Sequence, residues 1–352
     1  MKIVTVGAGP SGLYASALLE ESGHDVTVLE EHHTVGQPVQ CAGLVGRKLV
    51  RMMGDEAVLN HIDGAHIHYE DSHFALHRKN VAYVLDRAAF DTSLSRNLNI
   101  IYDTRVLRVS KDGTGYNLET SNGTHKAEYL IGADGPTSIV RSMLPFRSDI
   151  KLYPAYQERL EFSPPDEHMA IVEVKRPFFS WIIPEGNGIC RVGTIGNREA
   201  LGGLKRRFGI DGAALSQLKA PIPIGRTDLV NDHAFLIGDA AAQTKPLTGG
   251  GLYYGLRAAR MLADAIEREE PDMYQSLWDK KYGKEIGLGL KARRVYEAMS
   301  EKDLKRTFDI ISEKKEVLER DADYERHSTA IKLLLSSPRL IPILGKNIGN
   351  LF

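Results

Sequence analysis

Cysteine is nearly absent from this chain of 352 residues: there are two, Cys41 and Cys190. They form no Cys-x-x-Cys pair. That excludes a four-cysteine iron–sulfur cluster and gives no basis for a zinc site or a disulfide framework. A reducing, cytoplasmic setting is the simplest expectation. Charge of one sign is missing too. The formal net charge is -1, so no basic field points to nucleic acid. No uninterrupted apolar run approaches the ~18–20 residues that span a bilayer. The N-terminus carries no basic segment followed by an apolar core, so no signal peptide is expected. Internal repeats and low-complexity tracts are lacking. What remains is 42% apolar and 26% charged, an ordinary balance, with length enough for two or three lobes.

The N-terminus reads as a βαβ unit. Lys2–Val6 is a β-branched run ending in glycines, Ser11–Ser22 is helical, and Asp25–Glu30 is a second strand. Residues 62–85 read as a meander of short strands, Arg87–Leu98 as a helix, and 100–109, 116–119 and 124–131 as strands returning to the first lobe. A second, β-rich lobe spans 151–227. The chain then returns through His233–Ile237, and Gly249–Glu267 reads as a long helix. Beyond Pro271 the sequence is helical and charged. The expected division is therefore a nucleotide-binding lobe at 1–150 with strands inserted at 62–85, a substrate lobe at 151–227, a return at 228–270, and a helical region at 271–352.

Three glycine-containing segments carry the chemistry. The first, Gly7-Ala-Gly9-Pro10-Ser11-Gly12, joins a strand to a helix. Gly7 permits the tight turn, Gly9 lets backbone approach a pyrophosphate, and Gly12 lets helix pack close to strand. The helix N-terminus, from Pro10 and Ser11, offers free N–H groups and a positive dipole end. Glu30 ends the second strand, where a carboxylate accepts ribose hydroxyls and repels a 2′-phosphate. The second segment, Ala133-Asp134-Gly135, follows an apolar strand and on its own is no more than an Asp-Gly turn. In the third, Gly238-Asp239 ends another strand, and Asp239 can accept a ribityl hydroxyl or cap a helix. Pro246-Leu-Thr-Gly249-Gly250-Gly251 follows. Three glycines are costly inside a helix and mark a close backbone approach, here suited to charge on a reduced flavin. The ordered set points to FAD in a Rossmann-type α/β fold.

The three motifs in this order resemble the para-hydroxybenzoate hydroxylase superfamily of FAD enzymes. Within it the chain resembles the geranylgeranyl reductase family, on Val35-Gly36-Gln37-Pro38-Val39-Gln40-Cys41-Ala42-Gly43, on Ser180-Trp181-Ile-Ile-Pro184-Glu-Gly186, on the Gly238 to Gly251 stretch and on the Leu333 to Pro338 tail. The resemblance implies a Rossmann-type FAD-binding domain with an inserted β-sheet substrate domain and a helical C-terminal region. It implies Arg87, with Gln40, Cys41 and Ala42, beside the dinucleotide. It also implies Cys41 as a group acting at the reactive face, and Phe179, Trp181 and Pro184 as a substrate wall. An aromatic that the family places before the proline is Ile183 here.

The activity so implied is saturation of carbon–carbon double bonds in geranylgeranyl chains of isoprenoid lipids, using hydride from flavin and a proton. The substrate partner is then a polyprenyl lipid held in a long apolar tunnel. The donor stays open between NAD(P)H and reduced ferredoxin, since no second Gly-x-Gly-x-x-Gly unit is present. Rival readings are an FAD monooxygenase or halogenase, a quinone-linked flavoprotein dehydrogenase, and a lipid carrier that keeps FAD for structure. A halogenase needs a catalytic lysine, which the sequence does not place. His66 and His68 alternate on a strand without a third ligand and read as solvated, so no metal is expected. The cationic Lys291-Ala-Arg-Arg294 and the tail Ile331–Lys346 suit peripheral contact with a membrane surface.

Overall fold

A computed structural model describes residues 1–335 and 337–340. Its first layer is a six-stranded sheet in the order Val230–Asn231, Ala234–Leu236, Tyr129–Gly132, Lys2–Val6, Asp25–Leu29, Ile100–Ile101. All neighbours are parallel except the first pair. The strands Lys2–Val6, Asp25–Leu29 and Tyr129–Gly132 are short, apolar and almost wholly buried, as strands covered on both faces must be. The helix Pro10–Glu21 packs against Leu252–Glu267, and both seal one face of this sheet.

The second layer is an eight-stranded, mostly antiparallel sheet. Its order is Ala214–Thr227, Ser148–Glu161, Ile189–Ile195, Phe179–Gly186, Met169–Val174, Val58–Tyr69, Ser72–Leu85, Leu44–Gly46. The segment expected as a meander of short strands is instead one long hairpin. Glu70, with φ of 49°, makes its tight turn, and Gly64 through His68 pair in parallel with Met169 through Glu173. The inserted hairpin thus extends the second sheet. Helix Arg198–Arg207 covers one face through Leu201 and Leu204. The other face looks toward the first lobe and the C-terminal helices.

Smaller departures have local causes. The 100–109 strand splits because Asp103 turns at φ 54°; its second half joins a separate three-stranded sheet. Helix Arg87–Leu94 stops short of Leu98, and Asn97 adopts φ 67°. The long helix begins at Leu252, since Gly249, at φ 74°, lies in the turn before it. The C-terminal region forms helices Lys284–Ala298, Glu301–Glu313, Lys315–Asp321 and His327–Leu335. Among the described residues no helix is long and apolar enough to cross a membrane.

Arg293 corrects one expectation. It belongs to the cationic segment proposed for a membrane surface, yet it is buried. Its Nε donates to the Pro246 carbonyl at 3.0 Å, and its guanidinium lies 3.4 Å from the centre of the Phe178 ring. The helix is clamped to the body through these contacts. Of the tail 331–346, Ser336 and residues 341–346 lie outside the described residues.

Candidate active site

The three glycine segments meet at the carboxyl ends of adjacent parallel strands. Gly7 N donates to the Leu29 carbonyl at 2.8 Å, Ala133 N to Val6 at 2.9 Å, and Ile237 N to Gly132 at 3.0 Å. Ligands of open α/β sheets bind at this edge. Close packing dictates the glycines. A Cβ on Gly12 would meet the Gly7 carbonyl and the Ala133 Cβ, and one on Gly238 would stand 2.8 Å from Ser11 Oγ. Gly9 and Gly135 differ, because a Cβ there would meet nothing within 4 Å. Both line the cavity that opens from this edge.

That cavity, of about 1170 Å³, runs from the first sheet to the inner face of the second. At its sheet end Glu30 is buried, accepts from Ala8 N at 2.7 Å and from His32 N at 3.0 Å, and closes the turn after its strand. Asp134 accepts through Oδ2 from Ile139 N and Val140 N at 2.7 and 3.1 Å. Its Oδ1 is buried without a partner, and burial pushes the carboxyl up from its ordinary range. Asp239 is also pushed up by burial, to about 6, against the opposing charge of Arg87. Open space beside Gly9 and Gly135, an orphaned Asp134 oxygen and a carboxylate at the end of the second strand form a cradle that FAD fits.

Arg87 and Cys41 occupy the middle. Arg87 is partly buried and pairs with Asp91 through Nε at 3.2 Å and a terminal nitrogen at 2.9 Å. The Cys41 thiol lies within electrostatic range of the Arg87 guanidinium. Cys41 Sγ accepts from Gly43 N at 3.3 Å, which curls the loop around the sulfur. Gln40, Cys41 and Ala42 all line the cavity, as do Gly249, Gly250 and Gly251.

The far end is apolar. Phe179, Trp181 and Ile183 share one strand face and line it, with ring centroids of Phe179 and Trp181 5.8 Å apart. Trp181 donates from Nε1 to Gln157 at 3.1 Å. Small residues, among them Gly64, Ala65 and Ala170, keep the sheet floor low. Ile311, Leu318 and Leu334 of the C-terminal helices bound the space from above.

Three expected residues stand off the cavity: Gly12, packed between the Gly7 carbonyl and the Ala133 Cβ, and two prolines. Pro184 falls on the opposite strand face from Trp181 and Ile183, because side chains alternate along a strand, and its carbonyl accepts from Asn60 at 3.1 Å. Pro246 packs its ring at Gly289 and gives its carbonyl to Arg293. Other residues went unread in the sequence. Lys245 and Glu325 form a buried ion pair at 3.0 Å beside the glycine turn, with Lys245 Nζ 4.2 Å from the centre of the Tyr324 ring. His327 lines the same wall, its imidazole pushed down to about 3 by burial and by Lys245. Eighty residues separate Lys245 from Glu325, and no local pattern announces such a contact. Of the strand histidines, His68 stacks on His73 at 5.4 Å and is pushed down to about 4, first by burial. Among the described residues no group of three His, Cys, Asp or Glu side chains is placed to hold a metal.

This fold and this cradle define a flavoprotein, and the chain belongs to the FAD binding domain family, whose model matches residues 1–200. It is 27% identical to digeranylgeranylglycerophospholipid reductase 2 of Methanopyrus kandleri, over 96% of this chain and 97% of that one. An uncharacterised protein of Methanocaldococcus jannaschii is also 27% identical, over 95% of each chain. Among solved structures, a geranylgeranyl bacteriochlorophyll reductase-like protein from Thermoplasma acidophilum shares the fold. It has a TM-score of 0.81 at 20% identity, covering 100% of this chain and 99% of that one. The flavin-dependent halogenase CmlS shares it with a TM-score of 0.69 at 17% identity, covering 98% of this chain and 77% of that one. The chain is an FAD-dependent oxidoreductase, distantly related to archaeal geranylgeranyl lipid reductases.

Proposed function

We propose that this protein saturates carbon–carbon double bonds in geranylgeranyl chains of isoprenoid lipids. The observation that carries the reading is the position of Cys41. It lies in one continuous cavity, between a polar dinucleotide cradle and an apolar chamber walled by Phe179, Trp181 and Ile183. The relatives named as lipid reductases over nearly the full chain support the same substrate class.

FAD, once reduced and bound, supplies hydride. Gly7, Gly9, Pro10 and Ser11 would receive its pyrophosphate at the helix N-terminus, with Gly12 letting that helix pack close; Glu30 would hold its ribose, and Asp239 with Arg87 its ribityl chain. Ala133, Asp134 and Gly135 would support it. The backbone of Gly249, Gly250 and Gly251 would accommodate the flavin edge; Gly249 N is committed to the Lys245 carbonyl at 2.8 Å, so Gly250 and Gly251 would offer N–H groups to negative charge there. The apolar chamber orients the alkene and excludes water. An isolated alkene is a poor hydride acceptor, so a proton must arrive at one carbon as hydride reaches the other. The Cys41 thiol would give that proton. The thiolate left behind would then be reprotonated from solvent. The electron donor is NAD(P)H or reduced ferredoxin.

Halogenase chemistry is less well supported. The cavity lining includes two lysines, but Lys245 Nζ is engaged by Glu325 and by the Tyr324 carbonyl at 3.2 Å, and Lys219 is exposed, its Nζ 6.0 Å from the centre of the Tyr156 ring. Mass spectrometry of the lipid that co-purifies with the protein tests the proposal. A polyprenyl lipid is expected, and an aromatic or quinone ligand in its place would overturn it.

A further inference from the structure

Two segments set this chain apart among flavoproteins in the sequence, Val35–Gly43 and Ser180–Gly186, and they lie on different layers of the fold. One side chain connects them. Arg191, on strand Ile189–Ile195, pairs in register with Ile183 and Arg159 and so faces the cavity side of the sheet. It is buried, and each of its three nitrogens has a partner. Nε donates to Glu185 at 2.8 Å, one terminal nitrogen to the Ala42 carbonyl at 2.8 Å, and the other to the Leu85 carbonyl at 3.0 Å. Ala42 adjoins Cys41, and Leu85 stands two residues before Arg87. A single guanidinium therefore holds both the loop that carries the thiol and the start of the helix that carries its cationic neighbour.

The surroundings are built for this. Glu185 is buried between Arg191 and Arg159, whose Nε lies 2.9 Å from its Oε1. Burial acts to raise the Glu185 carboxyl, yet the two guanidiniums hold it below the ordinary range. Gly43 has φ of 66°, and a Cβ there would overlap the Arg191 guanidinium and stand 2.9 Å from the Leu85 carbonyl. Leu85 N in turn donates to the Gly43 carbonyl at 2.9 Å. The planar fork of arginine serves three directions at once, which a lysine ammonium on a flexible stem does not reproduce.

We propose that Arg191, anchored by Glu185, is a positioning residue that sets the placement of the Cys41 thiol relative to Arg87. Its consequence for catalysis rests on the reading of Cys41 as the proton-delivering group; the placement itself does not. In this account the Pro184-Glu185-Gly186 end of the second segment acts through Glu185, from beneath the loop, and not through Pro184 at the substrate.

The test is the rate at which iodoacetamide labels Cys41 in the FAD-loaded protein, with the labelled peptide identified by mass spectrometry and buried Cys190 as internal control. In Arg191→Met the loop loses its anchor, and Cys41 should label about tenfold faster, since freed buried carbonyls favour local opening. Glu185 keeps Arg159, so the variant retains a partner for the carboxylate. Arg191→Lys should also label faster, and Glu185→Gln, which preserves shape, should lie between wild type and Arg191→Met. Wild-type labelling rates in Arg191→Met, or in Arg191→Lys and Glu185→Gln should Arg191→Met not fold, would overturn the proposal. Because labelling requires no alkene, a Cys41 that proves dispensable for lipid reduction would sink the catalytic reading and leave the positioning result standing.

Discussion

A Cβ on Gly7 would stand 2.6 Å from the carbonyl oxygen of Ala133, at a backbone φ of 97°. The first and second glycine segments are thus pressed together, and the cradle depends on that contact. Gly7→Ala is expected to cost about 1–3 kcal/mol through strain and overpacking. It should also abolish FAD retention on a desalting column. Thermal melting and the flavin absorbance of the purified variant check both effects.

Lys245 and Glu325 are both buried, so removing one partner strands the other. Lys245→Met alone should destabilise the protein by about 3–5 kcal/mol, whereas the double change Lys245→Met with Glu325→Leu should recover most of that loss. Urea denaturation of the single and double variants measures the difference. Equal stability of all forms would show that the pair is solvated in solution.

Asp239 titrates near 6 in the protein without FAD, above its ordinary range because of burial. The folded form then binds the proton more tightly than the unfolded chain. The contribution of Asp239 is accordingly most favourable at low pH and is lost as pH rises through about 6. Against Asp239→Asn, the FAD-free wild type should lose relative stability between about pH 4 and 6. Parallel melting curves of the two proteins across that range provide the check.

Trp181 both walls the chamber and donates to Gln157. Trp181→Phe leaves the buried Gln157 oxygen without its donor, at a cost of about 1 kcal/mol, and widens the chamber. The Michaelis constant for a geranylgeranyl lipid should rise more than the stability falls, as steady-state kinetics beside a melting curve will reveal.

The N-terminal βαβ unit was legible because every determinant lies within thirty residues: the short β-branched apolar runs, the glycine spacing and Glu30. The hairpin over 58–85 was not, because its membership of the second sheet rests on pairing with residues 169–173, about a hundred positions away. The same distance hid Arg191 and Glu185, which resemble surface charges in a strand until Ala42 and Leu85 are brought to them. Arg293 misled in the opposite sense. Beside Lys291 and Arg294 it reads as part of a cationic face, yet carbonyls from Pro246 and Leu247 draw it inside. Alternation along Phe179–Gly186 already implied that Pro184 and Trp181 face opposite ways, and the proline's place in the motif obscured that.

Anaerobic reoxidation tests the central claim most directly. The FAD in the protein is reduced with light, oxygen is excluded, and digeranylgeranylglycerol phospholipid is added while flavin absorbance and lipid mass are followed together. The account predicts that the oxidised flavin spectrum returns as the lipid gains one pair of hydrogens for each flavin reoxidised. A flavin that stays bleached until air is admitted, with the lipid unchanged in mass, would contradict it.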